Sequence, residues 1–193
     1  MKRICVFAGA RSGRLENYEQ CAIELGAEIA KRGFELVYGG GKVGLMGALA
    51  QSALDAGATV IGVIPEFLMH EEILQPGLTQ TIVVDDLFKR KALMIEFSDA
   101  YIALPGGIGT LDELLEIITW RQLNQLNCEI GLINESDYFK PWLAALEHSV
   151  SEGFVDRIHY ESLRHASSPI ELLNKMQLYV PTQVPSDATS KGH

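Results

Sequence analysis

The sequence predicts a single α/β domain built on a doubly wound parallel sheet. Short apolar runs alternate with amphipathic helical patterns almost to the end of the 193 residues. Gly33, Gly57 and Gly153 lie just past three of the predicted helices, where helix C-termini favour glycine. Hydrophobic residues make up 47% of the chain, which suffices for one sizeable core. We expect the domain to span residues 1–180 and the polar segment 181–193 to be a disordered tail.

Each predicted strand is a short apolar run, and each predicted helix has apolar residues at helical spacing. The strands cover residues 3–8, 35–38, 59–64, 80–84, 100–104 and 130–134. The helices cover residues 17–32, 44–56, 87–97, 111–125, 141–152 and 169–176. Residues 65–77 interrupt this alternation, and we expect a loop over the sheet edge, where such loops often line the binding site. This order is typical of a Rossmann-like, three-layer sandwich.

Composition excludes several classes of function. The formal net charge of -9 argues against non-specific nucleic-acid binding, so an anionic ligand would be a small molecule held by local donors. No stretch reaches membrane-spanning length. Cys5, Cys21 and Cys128 are odd in number and widely spaced, which predicts neither a disulfide framework nor a zinc site. No histidine has metal-ligand spacing. We therefore expect a cytoplasmic protein with no metal and no cofactor.

The segment 105–113, Pro-Gly-Gly-Ile-Gly-Thr-Leu-Asp-Glu, joins a predicted strand to a predicted helix. Three glycines in four positions let a ligand approach the backbone, and the start of a helix favours an anion. This pattern predicts a phosphate site with a carboxylate, Glu113, beside it. The alternative is structural, because Thr110 and Glu113 also have the spacing of a capping box.

Arg90 occupies the apolar face of the helix predicted at 87–97. It shares that face with Leu93, Met94 and Phe97, at i+3, i+4 and i+7. A guanidinium on an apolar face usually has a carboxylate or phosphate partner. In the alternative, its stem packs while its head reaches solvent or pairs with Asp86.

Two further glycine turns follow predicted strands. The turn at residues 8–13 lies where such sheets place ligand loops, although it could be a simple connection. Residues 39–44 fit the dinucleotide pattern G-x-G-x-x-G, so an NAD-dependent oxidoreductase has to be considered. A dinucleotide-binding pattern normally follows the first strand, and this one follows the second, which argues against NAD binding. A P-loop is also excluded, because Val43 stands where that motif needs Ser or Thr. Close packing of helix and strand beside a ligand explains these glycines better.

Together, the segments Gly39-Gly40-Gly41-x-x-Gly44-Leu45-Met46-Gly47, Arg90-Lys91 and Pro105-Gly106-Gly107-x-Gly109-Thr110-x-x-Glu113 resemble the Lonely Guy family of cytokinin riboside 5'-monophosphate phosphoribohydrolases. The resemblance covers roughly residues 3 to 176. It implies that Arg90 and Glu113 are catalytic and that the family's homodimeric assembly applies. It also implies nucleotide contacts at Glu72, Lys91, Gly107, Ile108, Gly109, Thr110, Leu111, Asp112 and Thr119.

The chain departs from the family pattern at two places. Leu87-Phe88 replaces a Met-His pair upstream of the arginine, and Gly9-Ala10-Arg11 replaces a Gly-Ser-Ser start. The resemblance implies metal-independent hydrolysis of an adenine-type nucleoside 5'-monophosphate, such as a cytokinin precursor or AMP, to the free base and ribose 5-phosphate. A nucleotide-binding or carrier module of the same fold without hydrolysis is the alternative.

Overall fold

In the described part of the chain, the protein is built on one sheet of seven parallel strands. The computed structural model describes residues 3–69 and 74–176. The sheet has the order β4-β3-β2-β1-β5-β6-β7, and all pairings are parallel. Its strands are β1 (Arg3–Phe7), β2 (Glu35–Tyr38), β3 (Val60–Pro65), β4 (Gln80–Val84), β5 (Ala100–Ala103), β6 (Glu129–Ile133) and β7 (Arg164–Ala166).

Helices cover both faces of the sheet and give two hydrophobic cores. They are α1 (Glu16–Lys31), α2 (Gly44–Asp55), α3 (Leu87–Glu96), α4 (Ile108–Gln122), α5 (Lys140–Ser151), α6 (Arg157–Glu161) and α7 (Pro169–Lys175). Buried side chains of α1, α2 and α7 form one core with the sheet. Those of α3, α4 and α5 form the other. The predicted three-layer sandwich is therefore confirmed.

All six predicted strands and all six predicted helices are present, and most of their ends agree within one residue. Among the described residues, one strand and one α-helix were not predicted, β7 and α6. β7 is a three-residue edge strand of sequence Arg-His-Ala, too short and polar to show an apolar run. The loop expected at 65–77 contains a 3-10 turn at Glu66–Leu68, and Leu74 forms a bridge with Gly41. Residues 70–73 and the tail 181–193 lie outside the described residues, so those predictions stay predictions.

The strand order reverses direction between β1 and β5. The chain leaves the carboxyl ends of these neighbouring strands towards opposite faces of the sheet, which opens a crevice between their loops. A backbone hydrogen bond from Gly9 N to Pro105 O, at 3.1 Å, ties the two loops together. Met46 N also donates to Gly9 O at 3.3 Å, which connects the start of α2 to the same point. The fold thus places three glycine-containing turns around one crevice.

Candidate active site

A cleft of about 680 Å³ lies at the carboxyl ends of β1 and β5. This is where open α/β sheets bind their ligands. Both the turn after β1 and the turn after β5 contribute to its wall. The lining consists of residues 8–13 and 105–110 together with Tyr18, Leu45, Met46, Arg90, Glu113 and Tyr138.

The glycine turn after β5 leads directly into α4. The helix begins at Ile108, three residues earlier than predicted, with Gly107 as its N-cap and no side-chain cap. Thr110 therefore lies in the first turn of the helix and does not precede it, so the capping-box alternative is wrong. The first N–H groups of α4 lack carbonyl partners within the helix, and the helix dipole adds positive potential there. Both features favour a bound anion.

The glycines of this turn have different structural reasons. A Cβ on Gly106 would lie 2.1 Å from Thr110 Oγ1, so packing requires glycine there. A Cβ on Gly107 or Gly109 would meet no atom within 4 Å, and neither residue has a positive φ. Packing among the described residues therefore does not explain Gly107 and Gly109. The absence of their side chains leaves the backbone N–H groups open to a ligand from the cleft.

Arg90 and Glu113 meet inside the cleft. Arg90 Nη2 lies 3.7 Å from Glu113 Oε1, and their side chains are only 9% and 14% exposed. Among the described residues, Arg90 Nε is buried without a hydrogen-bond partner. The alternative in which the arginine head reaches solvent is therefore wrong. A buried guanidinium with a donor to spare is suited to hold an anionic ligand beside the carboxylate.

Gly39, directly after β2, makes room for this arginine. A Cβ on Gly39 would lie 2.0 Å from Arg90 Nη2, so the guanidinium packs directly over the backbone of Gly39. A Cβ on Gly44, the last glycine of the pattern, would lie 2.4 Å from the carbonyl carbon of Ala10, and Gly44 has a φ of 62°. Packing thus explains Gly39 and Gly44 of the dinucleotide-like pattern, in agreement with the interpretation from the sequence.

Cys5 lies within the electrostatic reach of the Arg90–Glu113 pair. Burial, and secondarily the negative charge of Glu113, raises the pKa of its thiol well above the ordinary value, while Arg90 acts in the opposite direction. The thiol is fully buried and not charged at neutral pH. It is therefore an apolar neighbour of the pair and adds no competing charge.

Only some of the predicted contact residues lie in the cleft. Gly107, Ile108, Gly109 and Thr110 line the cleft. Leu111, Asp112, Lys91 and Thr119 lie outside its described wall. Lys91 Nζ pairs with Glu116 Oε2 at 2.6 Å and with Asp112 Oδ2 at 3.0 Å, and the hydrogen bond to Glu116 raises the pKa of Lys91. Thr119 is exposed, and its hydroxyl donates to Leu115 O. Glu72 lies outside the described residues.

Sequence reasoning missed two aromatic residues of the cleft, Tyr18 and Tyr138. Their rings meet edge to face with centroids 5.7 Å apart. The hydroxyl of Tyr138 donates a hydrogen bond to Gly106 O, in the glycine turn. Neither residue belongs to a motif, and Tyr138 comes from the loop between β6 and α5. Only the strand order could have indicated Tyr138, because β6 lies next to β5 and the loop after β6 therefore lies beside the glycine turn after β5.

Comparison with known proteins agrees with this geometry. A family model described as possible lysine decarboxylase matches residues 46–176. The cytokinin riboside 5'-monophosphate phosphoribohydrolase LOG1 of Arabidopsis thaliana is 46% identical over 180 residues, which cover 93% of this chain and 84% of that protein. The corresponding enzyme LOG of Oryza sativa subsp. japonica is 44% identical over 180 residues, covering 93% and 74%.

Solved structures extend the likeness to the whole fold. The molybdenum cofactor carrier protein of Chlamydomonas reinhardtii has a TM-score of 0.69 at 20% identity, covering 91% of this chain and 96% of that one. The molybdenum cofactor binding protein of Rippkaea orientalis has a TM-score of 0.66 at 26% identity, covering 91% and 97%. At 20% identity, the likeness to the Chlamydomonas reinhardtii protein shows a shared fold and carries no information on function.

Proposed function

Since the chain belongs to the Lonely Guy family of cytokinin riboside 5'-monophosphate phosphoribohydrolases, we propose that it hydrolyses the N-glycosidic bond of adenine-type nucleoside 5'-monophosphates. The products are the free base and ribose 5-phosphate. The observation that carries this proposal is the buried Arg90–Glu113 pair, which lies in the same cleft as an uncapped helix start.

The phosphate end of the substrate binds at the glycine turn. N–H groups of residues 107–110 and the dipole of α4 stabilise the 5'-phosphate. This contact is remote from the reacting bond, so its binding energy positions the ribose. Removing the phosphate from the substrate should therefore lower turnover as well as affinity.

The reacting end of the substrate lies at Arg90 and Glu113. The bond between C1' and the base nitrogen breaks, a water oxygen forms the new bond to C1', and one water proton ends on the departing base. Positive charge develops on the ribose as an oxocarbenium ion, which a carboxylate at the position of Glu113 stabilises while it orients the water. Arg90 holds the nucleotide anion and favours departure of the base.

We also propose that the chain forms a homodimer, as the family resemblance implies. Support comes from the outer face of α3 and α4, where several large apolar side chains are exposed. Phe88 is 81% exposed, and Leu87, Leu115 and Trp120 are 43–46% exposed. Ion pairs of Lys91 with Asp112 and Glu116 join the two helices, and apolar side chains exposed on neighbouring helices are suited to a subunit contact. Light scattering on purified protein tests this: twice the mass of the 21.2 kDa chain supports it, and a monomer at micromolar concentration refutes it.

A cytoplasmic location is also part of the proposal. Cys5, Cys21 and Cys128 are free thiols in the structure, as a reducing compartment would keep them. Among the described residues, no helix is long and apolar enough to cross a membrane. Fractionation of cells that express the tagged protein tests the location.

The activity is tested by chromatography of the released base. Purified protein is incubated with isopentenyladenosine monophosphate, AMP and adenosine, and the free base is quantified over time. Base released from the monophosphates, with adenosine spared, supports the proposal and ranks the substrates. Tight AMP binding with no base released over hours favours a carrier module of the same fold.

A further inference from the structure

We propose that Tyr138 is a positioning residue for the phosphate end of the cleft, acting through the peptide that joins Gly106 to Gly107. The inference rests on the proposed function, because it concerns the binding of a nucleoside 5'-monophosphate. It adds a residue from the β6–α5 loop, which contains none of the motifs that define the site.

The contact itself is a hydrogen bond from the Tyr138 hydroxyl to Gly106 O. Tyr138 is half-buried, and its ring is held on two sides. Tyr18 meets it edge to face at 5.7 Å and Phe139 does so at 5.0 Å. The ring therefore has little freedom, and its hydroxyl is a fixed donor at the cleft wall.

The consequence follows from the geometry of a trans peptide. The carbonyl of Gly106 and the N–H of Gly107 belong to the same planar unit and point in opposite directions. Fixing the carbonyl on Tyr138 fixes the direction of the Gly107 N–H, at the N-cap of α4. A hydrogen bond accepted by the carbonyl also polarises the amide and strengthens its N–H as a donor. Neither glycine has a side chain that could hold this peptide in place.

The loop that delivers Tyr138 is itself strained. Ser136 and Asp137 have φ of 52° and 58°, in the left-handed region that non-glycine residues rarely adopt. Asn134 Oδ1 accepts a hydrogen bond from Phe139 N at 2.7 Å and closes the turn around them. Backbone strain of this kind is typical of functional sites, where the surrounding structure maintains it. These two residues directly precede Tyr138, whose hydroxyl donates to Gly106 O.

The test compares Tyr138→Phe with Tyr101→Phe. The Tyr101 hydroxyl also donates to backbone carbonyls, those of Ile95 and Ser98, but Tyr101 is not among the described residues of the cleft wall. Each variant loses one oxygen atom and keeps its ring. Calorimetry measures the Kd for ribose 5-phosphate and for adenosine, which lacks the phosphate. Thermal melting measures stability, and base release from AMP gives kcat and KM.

We expect Tyr138→Phe to weaken ribose 5-phosphate binding by about three- to tenfold, the effect of one hydrogen bond, and to leave adenosine binding unchanged. Tyr101→Phe should lower thermal stability and leave both Kd values at the wild-type level. The inference is overturned if the two variants bind ribose 5-phosphate equally well, or if Tyr138→Phe weakens both ligands alike. The proposed function fails separately, if the wild type releases no base. The amide NMR signal of Gly107 provides a second readout, since it should shift in ligand-free Tyr138→Phe.

Discussion

Replacing Gly39 with alanine should damage activity far more than folding. The new Cβ would lie 2.0 Å from Arg90 Nη2 and 3.1 Å from its Cζ. To restore an ordinary contact of 3.4 Å, the guanidinium has to retreat by about 1.4 Å. A displacement of about 1 Å at a catalytic group costs on the order of 100-fold in rate, or about 2.7 kcal/mol. We therefore expect kcat/KM for AMP to fall about 100-fold.

A double-mutant cycle tests whether the loss of kcat/KM in Gly39→Ala is caused by displacement of Arg90. Arg90→Ala and the double variant with Gly39→Ala are assayed for release of adenine from AMP. Because alanine at position 90 leaves no guanidinium for the new Cβ to displace, Gly39→Ala should cost no more than about twofold in that background, the usual error of additivity. A full 100-fold loss in both backgrounds would refute the reasoning, as would wild-type activity of the single Gly39→Ala variant.

Three further predictions concern the anion site and stability. Gly107→Ala should leave the melting temperature unchanged, because a Cβ there meets no atom within 4 Å. The same Cβ should obstruct the phosphate and raise KM for AMP by about tenfold. An unchanged KM would contradict this prediction. Arg11 is an exposed cation of the cleft wall. Arg11→Ser should raise KM for AMP by about two- to fivefold at low salt and very little at about 0.5 M salt, because salt screens exposed charges. An effect that does not change with salt would argue against an electrostatic role. Burial raises the pKa of the Cys21 thiol from 9.0 to about 12. Between these pH values the Cys21 thiol keeps its proton in the folded state and loses it in the unfolded state. The free energy of unfolding should therefore fall as pH rises above 9. In denaturant titrations, Cys21→Ala should make that fall less steep.

The strands and helices of the sandwich were predictable because their apolar residues repeat with clear periods. The start of α4 was not, since the capping-box pattern at Thr110 and Glu113 competed with the glycine turn. In the structure the helix starts inside the glycine turn, with Gly107 as its N-cap. Short elements such as β7 depend on pairing with β6 and carry no periodic signal of their own.

The position of Arg90 on an inward face was readable from the spacing of Leu93 and Met94. The contact between Arg90 and Glu113 was not predictable, because it depends on how α3, which packs on β3 and β4, lies relative to α4, which packs on β1 and β5. The role of Gly39 was only partly readable, since the sequence indicated close packing but not the arginine that packs there. Tyr138 was beyond sequence reasoning, because strand order alone brings its loop next to the glycine turn.

The most direct test of the Arg90–Glu113 account is base release from AMP by Glu113→Gln, with Glu116→Gln as the matched control. Glu116 lies one turn further along α4, where it pairs with Lys91 outside the described cleft wall. We predict that Glu113→Gln still binds AMP but loses turnover by at least about 100-fold, while Glu116→Gln stays within a few-fold of wild type. Comparable turnover by Glu113→Gln and the wild type would contradict the account and remove Glu113 from the chemistry.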